Sequence, residues 1–140
     1  MTPEQKTMVQ KSFAMVLPIA DTAAELFYGR LFELDPSVRA MFHGDMKEQG
    51  RKLMTMIRVA VANLDRLDEI VPAIEALGER HARYSVQDSH YETVGTALIW
   101  TLEQGLGPAF TPDTRQAWVE VYGILASVMQ NAAHRAAVLV

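Results

Sequence analysis

The chain of 140 residues contains no cysteine. That absence excludes disulfide frameworks, thiolate nucleophiles, cysteine-held zinc and iron–sulfur clusters. It also removes the usual clue to redox compartment. No run of about 18 apolar residues occurs, so no membrane-spanning helix is predicted. Residues 1–20 lack a basic start followed by an apolar core and a small-residue cleavage site, so no signal peptide is predicted and the cytoplasm is the expected location. Basic residues are not in excess. Thirteen Lys and Arg stand against 17 Asp and Glu, a formal charge of -4, and no basic stripe marks a nucleic-acid surface. Long alternation of apolar and polar residues, the mark of strands, is also missing. So are several catalytic signatures. There is no Gly-x-Ser-x-Gly turn, no His-Glu-x-x-His, and no Glu-x-x-His of the kind a di-iron helix bundle repeats.

What remains is a sequence 49% hydrophobic and 21% charged, ordinary for a globular protein. Its length predicts one domain over residues 1–140. A chain of this size buries about 68–70% of its unfolded surface, enough to fold without cross-links and to enclose a ligand. Nearly all of it has helical periodicity. Thr2-Pro3-Glu4-Gln5 is a helix start, with Thr2 as cap and Gln5 closing a capping box. Val9, Phe13 and Val16 share a face until Pro18 interrupts. A second helix from about Ala20 carries Ala24, Phe27 and Leu31. Asp35-Pro36 opens a short helical segment ending near Phe42. After His43-Gly44-Asp45, a longer helix from about Met46 carries Gln49, Leu53, Met56, Ile57 and Ala60. Asp65–Pro72 reads as a loop, with Pro72 in the first turn of a helix that runs through Leu77 to His81. Ser85–Ser89 connects to a helix marked by Tyr91, Val94, Leu98 and Leu102. Thr111 caps the last one, where Ala117, Val121, Ile124, Leu125 and Val128 share a face. The count is seven or eight helices with short connections, which allows a bundle, a helical repeat or a globin-type packing.

Only four histidines are present: His43, His81, His90 and His134. His81 lies four residues after Leu77 and shares its apolar face. A lone imidazole there can be a buried structural group or an axial ligand to haem iron, and its position alone leaves both open. Three other residues bear on the choice. Phe42 closes the short third segment, Tyr28 precedes it by 14 positions, and Gln49 precedes His81 by 32. A flat apolar macrocycle wants an aromatic edge, one strong nitrogen ligand, and hydrogen-bond donors on the opposite side where a polarised gas ligand would sit. His90 and His134 read as surface residues, with His90 placed where it could approach a haem propionate, and the methionines Met41, Met54 and Met56 as adaptable core filler.

The chain resembles bacterial single-domain globins and the globin domain of flavohaemoglobins. The resemblance is carried by Leu26-Phe27-Tyr28 running to Phe42, Gln49-Gly50-Arg51-Lys52-Leu53 and Leu77-Gly78-Glu79-Arg80-His81. It continues through His90-Tyr91-Glu92-Thr93-Val94-Gly95 and Trp118-Val119-Glu120-Val121-Tyr122-Gly123. Leu106–Pro112 is similar to a stretch of animal neuroglobins. The resemblance implies an all-α globin fold of seven to eight helices around haem b. It implies His81 as the iron ligand, with its second ring nitrogen bonded one turn back, and Tyr28 and Gln49 as the distal pair. Phe42 would pack on the haem and Leu53 roof the distal side. Lys52 would reach a propionate, Tyr91 border the proximal side, and Leu77 and Val94 complete the lining.

Functionally it implies binding of dioxygen, nitric oxide and carbon monoxide. It also implies nitric oxide dioxygenation, in which both gases are consumed to form nitrate. With only 140 residues, electrons are expected from an external reductase. The alternative within the same resemblance is a redox or gas sensor, or an electron-transfer globin, with Tyr28, His43 or Gln49 on a sixth iron position. A monomer or weak dimer is expected. The connection from Phe42 to Gln49 spans seven residues, shorter than in flavohaemoglobins, which predicts a tight distal loop.

Overall fold

A computed structural model describes residues 1–84 and 86–139 of the chain. Six α-helices follow one another: α1 (Pro3–Val16), α2 (Ala20–Leu34), α3 (Met46–Ala62), α4 (Leu67–Arg83), α5 (Asp88–Leu106) and α6 (Pro112–Leu139). Four short 3-10 turns join them, at Leu17–Ile19, Pro36–Met41, Leu64–Arg66 and Gly107–Ala109. No strand occurs among the described residues. The sequence periodicity predicts seven or eight helices. Six are α-helical, and the segment that leads to Phe42 is wound as 3-10. Among the described residues, no helix is long and apolar enough to cross a membrane.

Local chemistry explains the helix ends. The Thr2 hydroxyl accepts from the Gln5 amide at 3.1 Å, and the Gln5 side chain accepts from the Thr2 amide at 2.9 Å. The capping box expected from the sequence is formed. Pro18, with no amide to donate, turns the end of α1 into the 3-10 turn before α2. Asp35 accepts from the Ser37 amide and starts the turn to Phe42, and Asp45 accepts from the Lys47 amide and starts α3. Thr111 caps α6 through the Thr114 amide. Two boundaries differ from the sequence reading. Helix α5 begins at Asp88, inside the expected Ser85–Ser89 connection. Helix α4 begins at Leu67, so Pro72 lies inside it. Proline there removes a single intrahelical hydrogen bond, that to the carbonyl of exposed Asp68, which water can solvate. The α4–α5 connection passes through Ser85, which lies outside the described residues.

The buried side chains form two clusters. One gathers Val9 and Phe13 of α1, Ile99 and Leu102 of α5, and Trp118 and Val121 of α6. Trp118 is 2% exposed, and its indole N–H donates to the buried Ser12 hydroxyl at 2.8 Å, which in turn donates to the Met8 carbonyl. The polar atoms of this core are thereby satisfied. The other cluster centres on Phe27, Tyr28 and Leu31 of α2, with half-buried Phe42, Leu53 and Val94 against it.

Helix pairing then creates a slot. Helix α4 packs on α6, α2 packs on both α3 and α5, and α1 packs on α6. Helices α3 and α4 are not among the closely packed pairs. Large apolar side chains on both, such as Leu53, Met56 and Leu77, are left only half buried. Apolar surface this incompletely covered is what a non-protein apolar group would bury. The α4–α6 crossing depends on Gly78, which is buried. A Cβ there would fall on the Met129 main-chain carbonyl. Gly78→Ala is expected to force the helices apart and cost about 3 kcal/mol, the upper range for overpacking. Thermal unfolding followed by circular dichroism should show a fall of about 10 °C. An unchanged midpoint would mean that the crossing is not tight.

Candidate functional site

His81 sits in the last turn of α4. Its Nδ1 lies 2.8 Å from the Leu77 carbonyl. A carbonyl only accepts, so Nδ1 carries the proton and Nε2 keeps a free lone pair. Burial pushes the His81 pKa below the usual value. The bond to Leu77 opposes that shift, and the neighbouring Arg80 charge reinforces it. The resulting group is a neutral, oriented imidazole with one nitrogen to offer, which is what a metal ligand requires.

Tyr91 of α5 lies beside it, with ring centroids 6.5 Å apart. The Tyr91 main-chain carbonyl accepts the Tyr122 hydroxyl at 2.6 Å, which ties α5 to α6. The Tyr91 hydroxyl itself is buried and has no partner among the described residues. Burial, and then the Asp88 charge, raise its pKa. Leaving a buried hydroxyl unpaired costs about 1–3 kcal/mol. The orphaned oxygen fits a place meant to lie against something other than protein.

On the other side, Tyr28 of α2 is 7% exposed. Its ring meets Phe27 at 5.0 Å and Phe42 at 5.3 Å, both edge-on. Its hydroxyl donates to the main-chain carbonyl of Gln49 at 3.5 Å, a long and weak bond. The sequence reading placed Tyr28 and Gln49 together as a pair of side-chain donors, whereas this bond runs to the backbone of Gln49. Burial pushes the Tyr28 phenol up to about 12, with the Gln49 side chain acting in the opposite sense. At neutral pH the phenol is therefore protonated and able to donate. The weak bond to a carbonyl leaves it free to turn to a better acceptor.

Tyr28, Phe42, Leu53 and Val94 meet in one apolar cluster. Leu77, His81 and Tyr91 meet in a second group. Val94 and Tyr91 stand three residues apart on α5, so one helix face joins the two groups. Lys52 is exposed. His43 is exposed as well. A small apolar recess of about 20 Å³ lies behind Leu53, reaching back to Trp118. Among the described residues, no three His, Asp or Glu converge.

His90 departs from its reading as a surface residue. Its Nδ1 accepts from the Gln87 amide at 2.9 Å and caps α5, and its Nε2 lies 3.8 Å from Asp35. The signal was present as the Gln87-x-x-His90 spacing of a capping box. Arg30, stacked 5.2 Å from the Trp100 ring, was not legible at all, because it joins residues 70 positions apart.

Comparison with known proteins agrees with this architecture. A flavohemoprotein of Bacillus subtilis (strain 168) is 33% identical over 109 residues, 76% of this chain. The chain spans 27% of that relative's length. An engineered carbene transferase derived from a candidate nitric oxide dioxygenase of Rhodothermus marinus superposes with a TM-score of 0.90 at 24% identity, covering 99% of this chain and 97% of the other. A bacterial globin of Campylobacter jejuni superposes with a TM-score of 0.84 at 24% identity, covering 96% and 97%. The family description Globin matches residues 25–129, which include every residue of both groups, and the chain belongs to the globin family.

Proposed function

We propose that this globin holds haem b through His81 and takes dioxygen on the Tyr28 side. We further propose that it consumes nitric oxide and dioxygen to form nitrate. The observation that carries the reading is the Nδ1–H bond from His81 to the Leu77 carbonyl, which frees and aims Nε2. Haem, when bound, supplies an iron that takes one diatomic gas at its open position. The chain does the rest. Leu53, Leu77 and Val94 offer the apolar faces, Phe42 the aromatic edge, and Lys52 a cation within reach of the solvent side. Tyr28 presents a protonated phenol, and Gln49 an amide on the first turns of α3. A donor directed at a charged acceptor contributes about 1.5–3 kcal/mol, more than the long bond to Gln49 that Tyr28 would give up. Kinship with flavohemoproteins supports a flavin-dependent reductase as the electron source and nitric oxide and carbon monoxide as further ligands.

The test is optical. The purified chain supplied with haem should show an intense Soret band that shifts under carbon monoxide. A chain that stays colourless after titration with haem would sink the proposal.

A further inference from the structure

Tyr28 borders a second space besides the distal cluster. A cleft of about 410 Å³ opens between α2 and α3. At its floor the helices touch, and a Cβ on Gly50 would lie 2.9 Å from that of Ala24. Asp21 and Glu25 line the α2 wall, and Lys47 and Arg51 line the α3 wall. All four are exposed, and no ion pair joins the two walls among the described residues. An exposed pair would contribute only about 0–1 kcal/mol, too little to fold long side chains across the opening. The Ala24–Gly50 contact keeps the helices from closing further. The cleft therefore stands open.

The remaining two lining residues, Tyr28 and Met46, also belong to the apolar cluster that contains Phe42 and Leu53. These two side chains are thus shared by the open cleft and the distal cluster. Tyr28 is held by its aromatic neighbours. Met46 is half buried, unbranched and adaptable. We infer that the α2–α3 cleft is the entrance by which small uncharged gases reach the Tyr28 side, and that Met46 sets the rate of passage. The inference rests on the haem reading above. The wall also discriminates. An apolar gas crosses the thioether at little cost, whereas an anion must shed its water first.

Flash photolysis of the carbonmonoxy full chain tests this. Met46→Ala should speed carbon monoxide association by about threefold or more, and Met46→Trp should slow it as much. Lys47→Trp plugs the mouth from an exposed position and should also slow it. Because a changed entrance alters passage in both directions, dissociation should scale with association and leave the affinity unchanged. Association within about 1.5-fold of the parent in both tryptophan variants would overturn the inference, as would a change confined to affinity. If the Met46 variants do not take up haem, Lys47→Trp decides.

A second readout needs no haem. Under dissolved oxygen, the paramagnetic relaxation of the Met46 methyl and Tyr28 ring in the unloaded chain should exceed that of deeply buried Leu31. Lys47→Trp should remove the difference. Equal relaxation at all three would overturn the entrance. A parent without a Soret band would defeat the haem reading alone, and the relaxation experiment would still decide this one.

Discussion

Replacing His81 by glycine is expected to abolish axial ligation. Haem affinity should fall by more than the roughly 10–100-fold that losing a ligand's outer-shell partner costs. The size of the effect follows from the site. His81 is the one imidazole in the α4 group, and no His, Asp or Glu cluster among the described residues stands ready to replace it. The fold should survive, because glycine in the last turn of a helix costs about 1 kcal/mol or less. Its partner, the Leu77 carbonyl, would then face the vacated ring space and water. Far-ultraviolet circular dichroism should match the parent while the Soret band weakens and shifts. Added imidazole should restore it by filling the space the ring left. Rescue by imidazole separates ligation from packing, since a purely structural histidine would give neither the spectral change nor its reversal. A parent-like Soret band in His81→Gly would remove His81 from the ligand role.

Tyr28→Phe is expected to speed dioxygen dissociation by about 10–100-fold, the equivalent of one hydrogen bond to a charged acceptor. The substitution deletes a single oxygen. The ring contacts to Phe27 and Phe42 remain, and the bond lost in the resting chain is the weak one at 3.5 Å to Gln49. Stability should therefore change by less than about 1 kcal/mol, so the kinetic effect cannot be blamed on a loosened fold. Carbon monoxide, which develops less negative charge, should respond less. With the phenol pushed up to about 12, it stays protonated across the physiological range, and dissociation from the parent should be flat with pH up to about 10. Stopped-flow replacement of dioxygen by carbon monoxide measures the rate. An unchanged rate would exclude Tyr28 as the donor.

Much of the fold was legible because helices announce themselves locally. The Thr2–Gln5 box, the Pro18 break, the Asp35 and Asp45 starts and the Thr111 cap each involve residues within four positions of one another. The 3.6-residue period placed Val9, Phe13 and Val16 on one buried face, and it placed His81 above Leu77. It did not tell a 3-10 turn from an α-helix at Pro36–Met41, nor say that Pro72 lies inside α4. Those outcomes depend on how flanking segments are held by distant packing. His90 was misjudged for the same reason, since half of its setting comes from Asp35, 55 positions away.

By itself, then, the sequence determined an all-α chain without thiol chemistry, and it put a histidine, a tyrosine and a phenylalanine on faces from which a haem site could be assembled. Periodicity reports which side of a helix is apolar, not what that side meets. Tertiary structure alone decided the rest. It put α3 and α4 apart, so that their apolar faces are left half covered. It let Gly78 bring α4 onto α6 at backbone contact, and let Gly50 and Ala24 bring α3 onto α2. It buried Tyr28 so that its phenol stays protonated, and it left the Tyr91 hydroxyl without a partner among the described residues, on a ring that lies near His81. Each is a relation between residues far apart in the chain, set by which helices pack together and how closely.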